Sequence, residues 1–111
     1  MICDRVAAML AENRMIVTGS AHTPQDCIAG VLASHPDVVV LDVQLEGGTG
    51  LQVLRVVRQA HPDVAFVVFS INADAAHRKL YLASGAHSFL DKATDFERLV
   101  EVIRVAARSR R

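Results

Sequence analysis

The run Val38-Val39-Val40-Leu41, bounded by Asp37 and Asp42, narrows the folds open to this chain more than any other segment. It has neither the alternation of a half-buried strand nor the spacing of an amphipathic helix. It reads as a strand buried on both faces, as in a parallel sheet covered by helices on each side. Asp42 then stands at the carboxyl end of that strand, the edge where open α/β sheets place their chemistry. Two later runs end alike: Val64-Ala65-Phe66-Val67-Val68-Phe69 delivers Ser70, and His87-Ser88-Phe89-Leu90 delivers Asp91 and Lys92. An acid, a hydroxyl and an ammonium are therefore expected along one edge.

Between these runs the apolar residues switch to helical spacing, the mark of repeated βα units. Ile2, Val6, Met9 and Leu10 predict a first amphipathic helix ending near Asn13, followed by a short strand over Met15 to Val17. Thr23-Pro24-Gln25-Asp26 supplies an N-cap, a proline at the first helical position and an acid in the first turn. Cys27, Ile28, Val31 and Leu32 form the buried face of that helix, which ends by His35-Pro36. The loop Glu46-Gly47-Gly48-Thr49-Gly50 leads into a helix with Leu51, Leu54 and Val57 inward, stopped at His61-Pro62. His61-Pro62-Asp63-Val64 repeats His35-Pro36-Asp37-Val38, so two helix-to-strand joins share one sequence. A helix from about Asp74 to Ser84 with Gly85 as C-cap follows, then the Phe89 strand. The last helix starts at Asp95, with Thr94-Asp95-Phe96-Glu97 as a capping box and Phe96, Leu99, Val100, Ile103 and Ala107 inward.

With 111 residues, 51% of them hydrophobic, the chain has the size and apolar content of one domain with one core, residues 1–111, and leaves no room for an output domain. Its 12 Lys+Arg balance 12 Asp+Glu, so no overall field draws it to nucleic acid or to an anionic membrane. The tail Arg108-Ser109-Arg110-Arg111 complements the dipole at a helix C-terminus. No run reaches the roughly 18 apolar residues of a membrane span, and no secretory leader opens the chain, so the cytoplasm is the expected compartment. Cys3 and Cys27 have no ligand or C-x-x-C spacing and read as reduced core cysteines. His22, His35, His61, His77 and His87 read as surface or capping residues, since no two share a helix at i, i+4.

A carboxylate can attack phosphorus to form an acyl phosphate, provided that neighbours neutralise the arriving anion. Lys92 offers the cation, and Ser70 offers a hydrogen bond to a phosphoryl oxygen. This combination resembles the receiver domain of two-component response regulators. The resemblance is carried by Pro36 through Leu45 with Gly50 following, by Phe66-Val67-Val68-Phe69-Ser70, and by Gly85-Ala86-His87-Ser88-Phe89-Leu90-Asp91-Lys92. It implies a flavodoxin-like (CheY-like) doubly wound parallel sheet in three layers, strand order 2-1-3-4-5. It also implies Asp42 as phosphoacceptor, Ser70 as switch hydroxyl, Phe89 as the aromatic that turns inward on activation, and Lys92 as the phosphate contact. Mg²⁺ would be held by Asp42 and the Gln44 backbone carbonyl together with an acidic pair. The implied partners are a sensor histidine kinase or phosphotransfer protein and an output partner protein, with a homodimer through the last helix and the Phe89 strand. No enzymatic activity, direct nucleic-acid binding or membrane contact is implied.

The chain departs from that pattern at its start. Receiver domains open with a strand ending in two acids, whereas here the first strand is expected to be missing and Asp4 falls within the first helix. The Mg²⁺ site is then incomplete, because a hard cation prefers near-octahedral oxygen ligation. The strand neighbours also lose partners, which implies a longer natural protein, closure of the gap, or another chain filling it. Glu46, Ile71 and Ala93 replace a proline, a small residue and a proline, and Ile71 is expected to narrow access to the phosphate. The alternative function is a phosphorylation-independent pseudo-receiver used for protein–protein interaction. A small nucleotide or flavin enzyme finds no support, since neither G-x-G-x-x-G nor G-x-x-x-x-G-K-[ST] occurs.

Overall fold

The computed structural model describes residues 2–3, 19–71 and 73–109. The strand expected at Met15 to Val17, and Val6, Met9 and Leu10 of the first expected helix, lie outside these residues. The described elements are β1 (Ile2–Cys3), α1 (Pro24–Ser34), β2 (Val38–Leu41), β3 (Gln44–Leu45), β4 (Gly48–Thr49), α2 (Gly50–Ala60), β5 (Ala65–Ser70), α3 (Ala75–Ala83), β6 (Ser88–Asp91) and α4 (Leu99–Ser109). Strands β1-β2-β5-β6 form one sheet, every pair parallel. Helices lie on both of its faces, as a flavodoxin-like α/β fold requires.

The two faces divide the sheet residues by parity. Val39, Leu41, Phe66, Val68 and Phe89 join one core with Cys27 and Val31 of α1, Val53, Leu54 and Val57 of α2, and Tyr81 of α3. Val38, Val40, Val67, Phe69 and Leu90 join the other with Leu99 and Ala106 of α4. Because successive strand side chains point to opposite faces, a sheet covered twice needs apolar residues at every position. That is why β2 and β5 read as unbroken apolar runs.

Helix starts follow the local chemistry. The Thr23 side chain accepts the Asp26 N–H at 3.2 Å and caps α1, and Asp74 Oδ1 accepts the His77 N–H at 2.8 Å and caps α3. His35 and His61 close α1 and α2, as the prolines after them require, and their rings meet edge to face at 4.7 Å. Ser84 closes α3, and Gly85 beyond it takes φ +110°, a conformation that glycine adopts without penalty.

Four local expectations are corrected. Ile2 does not begin a helix: Ile2–Cys3 pairs in parallel with Val40 and Leu41, so two residues of β2 gain a partner on that side. The first strand of the resemblance is represented among the described residues by these two alone. The loop from Gln44 to Thr49 is a small antiparallel hairpin, β3 against β4. Phe96 is not inward: Phe96–Arg98 is one 3₁₀ turn, Phe96 is half exposed, and α4 starts at Leu99. The Thr94–Glu97 capping box does not form either: Asp95, not Thr94, caps the turn, and it makes no capping hydrogen bond, its carboxylate taking the Asp91 N–H at 3.0 Å and Arg98.

Candidate functional site

The parallel register brings the ends of β2, β5 and β6 to one edge: Leu41 lies beside Val68, and Ser70 beside Asp91. Asp42 follows β2 directly. Its backbone N–H donates to the Cys3 carbonyl at 3.3 Å, and its carboxylate takes the Gln44 N–H on Oδ1 at 3.3 Å. Lys92 follows β6 and sends Nζ to Asp42 Oδ2 at 3.1 Å. The side chains of Lys92 and Asp42 are only 23% and 14% exposed, so this ion pair is shielded from much of the solvent that weakens surface pairs.

The backbone around Lys92 is held in place. Its N–H donates to the Ser70 carbonyl at 3.1 Å. Asp91, expected on the edge, turns its carboxylate to the Ala93 N–H at 2.8 Å instead. Asp95 clamps the same turn, and the Asp91 N–H that its carboxylate accepts, helped by Arg98, holds its carboxyl below the usual carboxylate range. The Lys92 ammonium also lies 5.8 Å from the centroid of the Phe69 ring, a cation–π distance.

Ser70 is at the same edge and fully buried. Ile71, next to it, is 75% exposed. Phe89 is buried, its ring centroid 5.8 Å from that of Tyr81 in an edge-to-face arrangement and 5.5 Å from the Arg78 guanidinium. The Tyr81 hydroxyl accepts the Leu51 N–H at 3.0 Å, at the start of the helix that follows the Asp42 loop. Burial pushes the Tyr81 phenol above its ordinary value; the Leu51 N–H opposes this, and the charge of Asp42 adds to it. Tyr81 thus stands between the Asp42 loop and Phe89.

Gly50 explains how the loop returns so tightly. A Cβ there would run into the backbone carbonyl oxygen of Asp42, closer than real Cβ contacts come. The Gly50 N–H meanwhile donates to the Val43 carbonyl at 2.9 Å.

The family model for the response regulator receiver domain matches residues 1–104. The chain belongs to this family. It is similar to the transcriptional regulatory protein DegU of Brevibacillus brevis, 29% identical over 103 residues that cover 93% of this chain and 43% of the relative. It is also similar to the transcriptional regulatory protein YxjL of Bacillus subtilis, 31% identical over 98 residues, 88% of this chain and 45% of the relative. The chain spans less than half the length of these curated relatives. Among solved structures it resembles the signal receiver domain of the response regulator NarL from Mycobacterium tuberculosis, with TM-score 0.82, 27% identity, and coverage of 95% of this chain and 85% of that one.

Receiver domains are signalling domains that generally bind Mg²⁺ in an acidic pocket. Among the described residues, no three His, Cys, Asp or Glu side chains converge in a way that holds a metal. At Asp42 the described groups are one carboxylate, with both oxygens engaged, and the backbone of Gln44. That set does not fit an octahedral hard cation by itself. Asp4 lies outside the described residues. No described helix is long and apolar enough to cross a membrane.

The strand ends in the sequence place an acid, a hydroxyl and an ammonium at this edge, where Asp42, Ser70 and Lys92 lie, but they do not single out Phe69, Tyr81 or the approach at Gly50. Tyr81 carried one signal: a hydroxyl-bearing aromatic on the inward stripe of a helix needs a polar partner.

Proposed function

We propose that this receiver domain accepts a phosphoryl group on Asp42 from the phosphohistidine of a sensor kinase or phosphotransfer protein. An Asp42 carboxylate oxygen attacks phosphorus, the P–N bond to the donor imidazole breaks, and that imidazole leaves and takes up a proton. Lys92 passes from the carboxylate to a phosphoryl oxygen and offsets the added charge. Ser70 then supplies a hydrogen bond to the phosphoryl group. Phe89 reports its presence on the face formed by β6 and α4, where an output partner or a second copy docks. The observation that carries this reading is the 3.1 Å contact between Lys92 and Asp42 at the carboxyl edge of the sheet.

The test is incubation with acetyl phosphate, with and without Mg²⁺, read by intact mass. One acid-stable, base-labile phosphoryl group is expected on the chain and none on Asp42→Asn. An adduct that persists in Asp42→Asn refutes the assignment.

A second reading is favoured by one observation, the lack of an acidic cluster around Asp42 among the described residues. It is a pseudo-receiver that binds its partner without phosphorylation. Under it, Asp42→Asn leaves partner binding unchanged and acetyl phosphate leaves no adduct on the chain.

A further inference from the structure

The sequence His-Pro-Asp-Val occurs twice, over residues 35–38 and 61–64, each time between a helix and a strand. The two strands it enters, β2 and β5, are parallel neighbours with Val38 beside Ala65, so both joins lie at the same amino edge of the sheet. His35 and His61 consequently meet in space: their ring centroids are 4.7 Å apart and their planes stand at 89°. His77 and His87 differ, each engaging a ring nitrogen with a neighbour, Asp74 or Ser88.

The backbone of the pair is pinned. The His35 N–H donates to the Val31 carbonyl at 3.0 Å, and Pro36 after it is buried. The His61 N–H donates to the Val57 carbonyl at 2.7 Å, and the His61 carbonyl accepts the Val64 N–H at 3.2 Å. Helices α1 and α2, which these residues close, pack against each other.

We propose that His35 and His61 together bind one divalent transition-metal ion, Ni²⁺ or Cu²⁺, at the amino edge of the sheet. This goes beyond the phosphoryl-transfer reading and does not depend on it, because Asp42 stands at the opposite, carboxyl edge. Imidazole suits these metals, whereas Mg²⁺ and Ca²⁺ take oxygen ligands.

The spacing fits. An imidazole nitrogen about 2.1 Å from a metal puts the ring centroid about 3.2 Å from it. Two such centroids 4.7 Å apart subtend about 95° at the metal, near the cis angle of a square or octahedral site and well below the tetrahedral one. Perpendicular rings suit that angle: one lies in the plane of the two metal bonds, and the other stands across it. The terminal torsion of histidine is soft, so a turn about it aims a nitrogen of each ring at the shared point. Each ring binds as neutral imidazole and releases to solvent any proton that it carried at that nitrogen. His35 is exposed and His61 half-buried, so the ion enters from solvent without any opening of the fold. Among the described residues no third His, Cys, Asp or Glu joins the pair, and water fills the remaining positions. The bound ion ties the end of α1 to the end of α2, and it stabilises the folded chain by mass action.

The experiment titrates the full chain, free of any polyhistidine tag, with NiCl₂ in a calorimeter. Ni²⁺ is the probe because it does not oxidise thiols, and excess Mg²⁺ is present to occupy oxygen-ligand sites. One Ni²⁺ per chain is expected, with a melting temperature that rises with Ni²⁺ concentration. His35→Gln and His61→Gln should each weaken binding roughly tenfold or more, since losing even the outer partner of a metal ligand costs that much. His77→Gln and Asp42→Asn should leave it unchanged. In the NMR spectrum, paramagnetic Ni²⁺ should broaden the imidazole signals of His35 and His61 together, before those of His22, His77 and His87. The proposal is overturned if the double variant binds Ni²⁺ as tightly as the unaltered chain, if only one of the two substitutions weakens binding, or if one ion is held between two chains. Should a variant fail to fold, broadening in the unaltered chain decides: His35 and His61 first supports the site, and any other histidine first overturns it.

Discussion

Lys92 Nζ stands 3.1 Å from Asp42 Oδ2, and this contact joins the ends of β2 and β6 across β5, the strand that lies between them. Both side chains are largely shielded from solvent, at 23% and 14% exposed. Removing one charge therefore leaves the other poorly solvated, and removing both does not.

Lys92→Met is expected to lower the unfolding free energy at pH 7 by about 1–3 kcal/mol, the cost of stranding a partly buried charged group. Adding Asp42→Asn should recover part of that loss. Urea denaturation of the two single variants and the double variant measures the coupling. Strict additivity would mean that the pair contributes nothing to the fold.

Gly50→Ala should destabilise by about 1–3 kcal/mol, because its methyl meets the Asp42 backbone rather than a side chain that can turn away. The same substitution at Gly47, where nothing lies within 4 Å, meets only the strain of φ +76°. Thermal melts of both variants separate collision from conformational strain. A larger loss at Gly47 than at Gly50 would show that the loop near Asp42 yields easily.

Tyr81 is the only tyrosine of the chain, so phenolate absorbance reports it alone. Its native value is raised above 10.0, chiefly by burial. A group raised on folding contributes stability that is fully present below its unfolded value and lost as pH rises through its folded value. The absorbance midpoint of the native chain should thus lie above pH 10, with stability falling across the same alkaline window, and urea should return the midpoint to the ordinary value. Tyr81→Phe should abolish the signal and cost about 1–3 kcal/mol by leaving the Leu51 N–H without its acceptor. A native midpoint at or below the unfolded one would contradict the buried placement.

Leu54 and Val56 are two residues apart on α2, and the first is fully buried while the second is 46% exposed. Leu54→Ala should cost about 2–5 kcal/mol through the cavity it leaves. Val56→Ala should change stability by no more than about 0.5 kcal/mol. Equal effects in chemical denaturation would mean that α2 is rotated from the face described.

The legible parts of the fold were those whose signal is repeated along the chain. Val38 to Leu41 and Val64 to Phe69 each state in consecutive residues that both sheet faces are covered, and Thr23 and Asp74 cap helices with residues a few positions away. β1, β3 and β4 were missed because two-residue strands are too short to show any period. Phe96 was placed inward because helical spacing was extended one turn too early, where the Asp95 carboxylate is in fact occupied by the Asp91 N–H. In the site, Asp42, Ser70 and Lys92 could be read from the ends of their strands. Tyr81 and Phe69 could not, since each acts on the site through a partner remote in sequence.

The sequence by itself determined that strands and helices alternate, that the strands are buried on both faces, and that an acid, a hydroxyl and an ammonium stand at their carboxyl ends. Hydrophobic period and helix capping act over a few residues, so they are written locally. Tertiary structure alone decided that Lys92 reaches Asp42 and that Tyr81 links the Leu51 backbone to Phe89. Those contacts depend on strand register and on which helix covers which face, and both are set only when the whole core packs at once.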